Sequence, residues 1–194
     1  MSLITLIRSF LRQKDKIEVK LVTELKTMKK IYLILLVALS FSSCEKDDIC
    51  DATTSTTPRL IIQFYDVSNP TTLKLVNNLA IVAPGFTTGI SFSGVSKIEV
   101  PLKTTEDTTT FNFIQNGADT NTTNDNTDVI QINYSRSNVF VSRACGYKTV
   151  FTLNSTNGFV RTDATSLDGL WIQNFDIVTS NIATENEIHV KIYF

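Results

Sequence analysis

"EIHVKIYF", residues Glu187–Phe194, closes the chain on a strict alternation. In an extended backbone Ile188, Val190, Ile192 and Phe194 fall on one side, and His189, Lys191 and Tyr193 on the other. Successive side chains of a strand point to opposite faces, so this period of two predicts a strand with one face in a core. The same signature recurs upstream. "RLIIQFYD" sets Leu60, Ile62 and Phe64 against Arg59, Ile61 and Gln63. "KIEVPLK" aligns Ile98, Val100 and Leu102, and Pro101 puts that strand at a sheet edge or near its own end. Phe111 and Phe113 share a face in "TTFNFIQN", as do Ile130, Ile132 and Tyr134 in "DVIQINYSR". "KTVFTLN" sets Val150 and Thr152 against Phe151 and Leu153.

Residues 44–194 hold 24 Thr and 15 Asn. Threonine suits exposed strand faces and asparagine suits turns. Asn157-Gly158 is expected to close a hairpin, and residues 116–127 to form a long polar loop. No stretch after Cys44 has helical periodicity. The fold class is therefore all-β, a single antiparallel β-sandwich, Ig-like or similar.

The start of the chain reads differently. In "MKKIYLILLVALSFSSCEKDDIC", residues 28–50, Lys29 and Lys30 precede an apolar run from Ile31 to Phe41, then small residues and Cys44. The run is too short for a membrane span of about 20 residues and suits a secretory signal. A cysteine directly after the small residues marks a bacterial lipoprotein, in which Cys44 takes a diacylglycerol through its thiol and a further acyl chain on its freed amine. The expected organisation is an upstream gene-model extension over residues 1–27, a signal peptide over 28–43, a lipid anchor and short tether over 44–57, and the sandwich over 58–194. Residues 1–43 contain eight bases and three acids, which leaves 10 Lys+Arg against 16 Asp+Glu and a net charge of −6. An acidic domain argues against nucleic acid, whose affinity rests on phosphate neutralisation. Several acyl chains would hold it at the membrane.

With Cys44 lipidated, Cys50 and Cys145 are left as an even pair in an oxidising compartment, where a disulfide is expected in place of two free thiols. The bridge would close a loop of 96 residues, worth at most about 4–5 kcal/mol on the chain-entropy account. Only Glu45 to Ile49 separate the lipidated cysteine from the bridged one, a reach of roughly 20 Å. The domain is thus expected to work close against the bilayer.

Candidate chemistry is sparse. His189, the single histidine, falls on the polar face of the last strand and is read as solvated, so that its removal would do almost nothing. One histidine excludes a two- or three-histidine metal site, and no serine lies in a GxSxG motif. No enzymatic activity is expected. Asp119, Asn121, Asp125 and Asp128 in and beside "GADTNTTNDNTD" offer hard oxygen ligands for calcium, the one cofactor considered besides the lipid. Tyr134, Tyr147, Trp171 and Tyr193 offer an aromatic platform for a glycan.

"CEKDDIC", "PRLIIQFYDVSNP", "IEVPLKT", "INYSRSNVFVSRACGYK" and "NEIHVKIYF" together resemble a family of Bacteroidota lipoproteins catalogued as a domain of unknown function. The resemblance implies lipid on Cys44 and supports the Cys50–Cys145 pair, and it carries no catalytic residues. "EKDD" after Cys44 looks like the signal that sends such lipoproteins to the cell surface. The expectation is an outer-membrane lipoprotein, on the outer rather than the periplasmic face. It would be a non-catalytic accessory or interaction subunit beside an outer-membrane protein, the alternative being a glycan- or calcium-binding surface lipoprotein.

Overall fold

The structure, a computed structural model, describes residues 24–26, 28–37, 49–165 and 168–194. The chain divides into two units, Met1–Asp48 and Ile49–Phe194. In the first, residues 28–37 are helical with exposed side chains. Among the described residues no helix is long and apolar enough to cross a membrane. Cys44 and residues 38–43 of the expected signal peptide lie outside the described residues.

The second unit is built of strands in two sheets that share one hydrophobic core. The smaller sheet has the order β4 (Lys97–Val100), β1 (Leu60–Tyr65), β11 (Val190–Tyr193), β9 (Asn174–Ile177). The edge position expected for the strand before Pro101 is observed. The sandwich is not purely antiparallel, however: β1 and β11 pair in parallel at the centre, with Ile62 opposite Val190 and Phe64 opposite Ile192. Ile61, which the alternation placed on the outer face, is nonetheless buried along with Leu60, Ile62 and Phe64, while Gln63 and Tyr65 on that outer face are half-buried.

The larger sheet has the order β10 (Asn181–Ile182), β7 (Gly146–Leu153), β6 (Asn126–Ser142), β5 (Thr108–Gln115), β2 (Leu79–Val82), β3 (Ile90–Phe92), and β8 (Phe159–Asp163) also pairs with β6. Its inward face supplies Phe113, Ile130, Ile132, Tyr134, Phe151 and Leu153 to the core, the residues singled out by alternation.

Asn157-Gly158 does not close a hairpin. β7 and β8 lie end to end along the same edge of β6, since Tyr134 faces Leu153 and Ile132 faces Phe159. Residues 154–158 leave that edge and return to it. Asn133 holds the neck: its backbone N–H donates to Gly158 O (3.0 Å), its carbonyl accepts from Asn154 N (3.0 Å), and its Nδ2 donates to Asn157 O (2.7 Å). A Cβ on Gly158 would meet Asn154 O at 2.4 Å, so the return is too tight for any side chain. The Asn-Gly pair correctly marks a tight turn. Its exit direction is set by the unpaired edge of β6.

β6 is 17 residues long, and only its first half belongs to the sandwich. From Ser135 to Phe140 it is exposed on both faces, and with β7 it forms a hairpin arm whose turn lies between Ser142 and Gly146. β5 covers the other edge of β6 only as far as Asn133.

Candidate functional site

The structure rearranges most of the candidate positions. His189 is fully buried, not solvated. Its backbone N–H donates to Ile61 O (3.0 Å) and its Nδ1 accepts from Ile61 N (2.9 Å), so one residue satisfies both polar groups of a central strand position. Burial lowers its pKa below the usual histidine value, with Glu187, Glu185 and the Thr184 backbone pulling weakly the other way. The parallel pairing of β1 and β11 creates this environment, and no period read from a single strand contains it.

Of the four oxygen ligands, Asp119 and Asn121 serve local turns, while Asp125 Oδ1 and Asp128 Oδ1 are buried without a hydrogen-bond partner among the described residues. Asp119 Oδ1 accepts from Asn121 N (2.7 Å), and Asn121 Oδ1 caps a short 3-10 turn, Thr122–Asn124, by accepting from Thr123 N (3.2 Å). Asp125 follows that turn, and Asp128 points into the core. Among the described residues no group of three or more His, Cys, Asp or Glu is placed to hold a metal ion. Asp128 instead joins a buried polar cluster that sequence reasoning missed. Its Oδ2 accepts from Ile172 N (2.8 Å), while Arg161 Nη1 donates to Ile172 O. Asp163 lies directly across the strand pair from Asp128. Burial pushes the Asp128 carboxyl up to about 6, against the hydrogen bonds from Ile172 and Trp171 and the charge of Arg161. The cluster pins the segment that leads from the large sheet to β9. Within the cluster Asp128 Oδ1, Asp163 Oδ1 and Arg161 Nε are buried without a hydrogen-bond partner among the described residues.

The aromatic platform is dispersed as well. Tyr134 is buried, edge-on to Phe151, and its hydroxyl donates to Lys103 O (2.9 Å) and pairs with Thr109 Oγ1 (2.6 Å). Trp171 is buried with Nε1 donating to Phe113 O (2.9 Å), and Tyr193 bonds Asp176 Oδ2 (2.9 Å). Of the four, only Tyr147 stands in solvent.

The Cys50–Cys145 disulfide is formed, with the two Cα atoms 4.9 Å apart. It joins the start of the second unit to the turn of the hairpin arm. From there residues 50–57 follow the outer edge of β7: Lys148 Nζ donates to Ser55 Oγ (2.9 Å) and Thr149 N to Thr57 Oγ1 (3.1 Å). The chain thus enters the unit at the arm's end and runs along the arm to the sandwich. Close to that end Phe140 and Tyr147 stand directly opposite each other, 55% and 70% exposed, with their rings edge-to-face at 5.4 Å. Aromatic side chains carry a large apolar area, and here two of them stand together in solvent. The arm end, with its bridge and aromatic pair, is the candidate site. It offers exposed aromatic area beside the disulfide.

Searches among curated proteins and solved structures find no match. A family model described as a family of unknown function, DUF6452, matches residues 78–194, which takes in the sheet strands from β2 onward, the arm and Cys145. The match covers more than half of the chain, which therefore belongs to the DUF6452 family.

Proposed function

We propose that the chain is an outer-membrane lipoprotein, anchored through Cys44, whose β-sandwich serves next to the bilayer as a non-catalytic interaction subunit of an envelope complex. The observation that carries this reading is the bridge at the arm's end: it fixes Cys50, six residues after the expected lipid attachment, to one pole of the domain. The lipid and the arm are thereby held within a short span of each other. The order of Lys29-Lys30, the apolar run, the small residues and Cys44 supports export and acylation. "EKDD" supports the outer face. The glycan and calcium alternative has weaker support: Tyr134 and Trp171 are buried, whereas Tyr147 is exposed and Asp125 Oδ1 and Asp128 Oδ1 are buried without a hydrogen-bond partner among the described residues.

Two measurements test it. Cys44→Ala should leave an unprocessed precursor that takes up no clickable fatty acid, and efficient labelling of that variant would refute the anchor. Affinity purification of the acylated protein from detergent-solubilised membranes should bring down a membrane protein in stoichiometric amount. Recovery of the chain alone, together with calcium or sugar binding, would favour the alternative.

A further inference from the structure

Resting on the lipid anchor proposed above, we infer that the end of the hairpin arm lies in the lipid interface, with Phe140 and Tyr147 as its contact residues and the long axis of β6 directed away from the bilayer.

Connectivity limits where this end can be. Cys44 would sit at the membrane surface, and the chain from there to Cys50 spans roughly 20 Å at full extension. Cys50 is bonded to Cys145 in the turn of the arm. Tyr147 is two residues past Cys145, about 7 Å along a strand. The aromatic pair is therefore held within about 30 Å of the acylated residue, whatever path the intervening segment takes. The opposite end of β6, at Asn126, is 14 residues from Phe140, roughly 46 Å along an extended strand.

The chemistry of the pair suits that place. A tyrosine has an apolar ring and a polar hydroxyl, and such side chains settle where hydrocarbon meets headgroups. Phe140 adds a fully apolar ring on the same face of the two-stranded arm. Val139, 41% exposed, lies on the other face opposite Lys148, which bonds the incoming segment. Nearer the sandwich the exposed residues of β6 are Ser135, Arg136, Ser137 and Asn138, so the arm is apolar only towards its end. Two aromatic side chains would not hold a protein on a membrane alone. Beside covalent acyl chains they need only set orientation, because the anchor has already brought them to the surface.

The test uses the full acylated protein reconstituted into phosphatidylethanolamine–phosphatidylglycerol vesicles, with or without lipid brominated near the headgroup end of its acyl chains. Wild type contains one tryptophan, Trp171, which is buried and gives the baseline. Tyr147→Trp places an indole at the arm's end. Thr120→Trp, in the exposed loop between β5 and β6, places one at the far end of β6. Should Tyr147→Trp fail to fold, Phe140→Trp replaces it. An indole buried about 5–10 Å into the interface should lose roughly half its emission to bromine or more, with no change at Thr120→Trp. No quenching at the arm's end, with mass spectrometry showing acylated Cys44, would overturn the orientation and give the aromatic pair to a protein partner, leaving the anchor intact. Quenching at both positions would show a domain lying flat and would also overturn it. A mass without acyl chains would refute the anchor and this inference together.

Discussion

At the scale of single residues, two buried titratable groups give opposite and separable pH dependences. His189 has a depressed pKa, so the stability tied to its neutral ring is present above the unfolded value of 6.5 and is lost as pH falls below it. Asp128 is raised from 3.8 to about 6, so its contribution is complete below pH 3.8 and is lost as pH rises through 6. Between those limits burying the ionised carboxyl costs at most about 3 kcal/mol. Asp128→Asn keeps an acceptor for Ile172 N and removes the charge. Urea unfolding should therefore show the variant gaining on wild type as pH rises from 4 to 6, and a constant difference would mean that Asp128 is ionised in the folded state throughout. His189→Ala should cost about 2–4 kcal/mol near pH 7, since it leaves a cavity and an unpaired Ile61 N–H. A urea midpoint within experimental error of wild type would restore the solvated reading. Neither residue announces this in the sequence: a histidine between apolar neighbours reads as outward-facing, and its bonds to Ile61 are long-range contacts that no local period contains.

Among the elements, legibility follows how far each strand obeys a local rule. β4, β5, the first half of β6 and the end of β7 each have one face in the core, and alternation identifies them with their inward residues. β1 departs at Ile61, which is buried although Gln63 and Tyr65 on the same face are only half-buried. β9 and β10, four and two residues long, are held by pairing to β11 and β7 and lack a pattern of their own. The arm is illegible too: "NVFVS" carries three consecutive apolar residues like a buried strand, yet Val139 and Phe140 are exposed. The bridge was legible by counting cysteines, whereas the aromatic pair beside it was not. The β7–β8 excursion shows where turn chemistry stops short, and it makes a discriminating prediction. Gly158→Ala should destabilise the protein by about 1–3 kcal/mol through the clash with Asn154 O. Asn157→Ala should be nearly neutral, because only the Asn157 backbone carbonyl is used. A hairpin closed by Asn157-Gly158 would make both substitutions costly, and thermal melts of the two variants would separate these cases.

For the molecule as a whole, the disulfide and the hydrophobic core act on different regions. The core residues of β1, β11, β5 and the first half of β6 pack without help from Cys50 or Cys145. The bridge instead ties residues 50–57 and the arm, whose exposed strands have little apolar burial to hold them. Removing it frees a long loop in the unfolded chain and loosens the arm in the folded one. The Cys50→Ser/Cys145→Ser protein should lose roughly 2–4 kcal/mol of stability by urea unfolding, and dithiothreitol should bring wild type to the same midpoint. Hydrogen exchange provides the sharper measurement. Protection should fall in residues 136–150 and 50–57 while β1 and β11 exchange only through global unfolding, at rates raised uniformly by the lost stability. If the sandwich strands lost protection selectively, or the arm stayed as protected as in wild type, the arm would be packed into the core's cooperative unit. The bridge would then be a staple of the fold, and its placement at the entry of the chain would carry no consequence for orientation at a membrane.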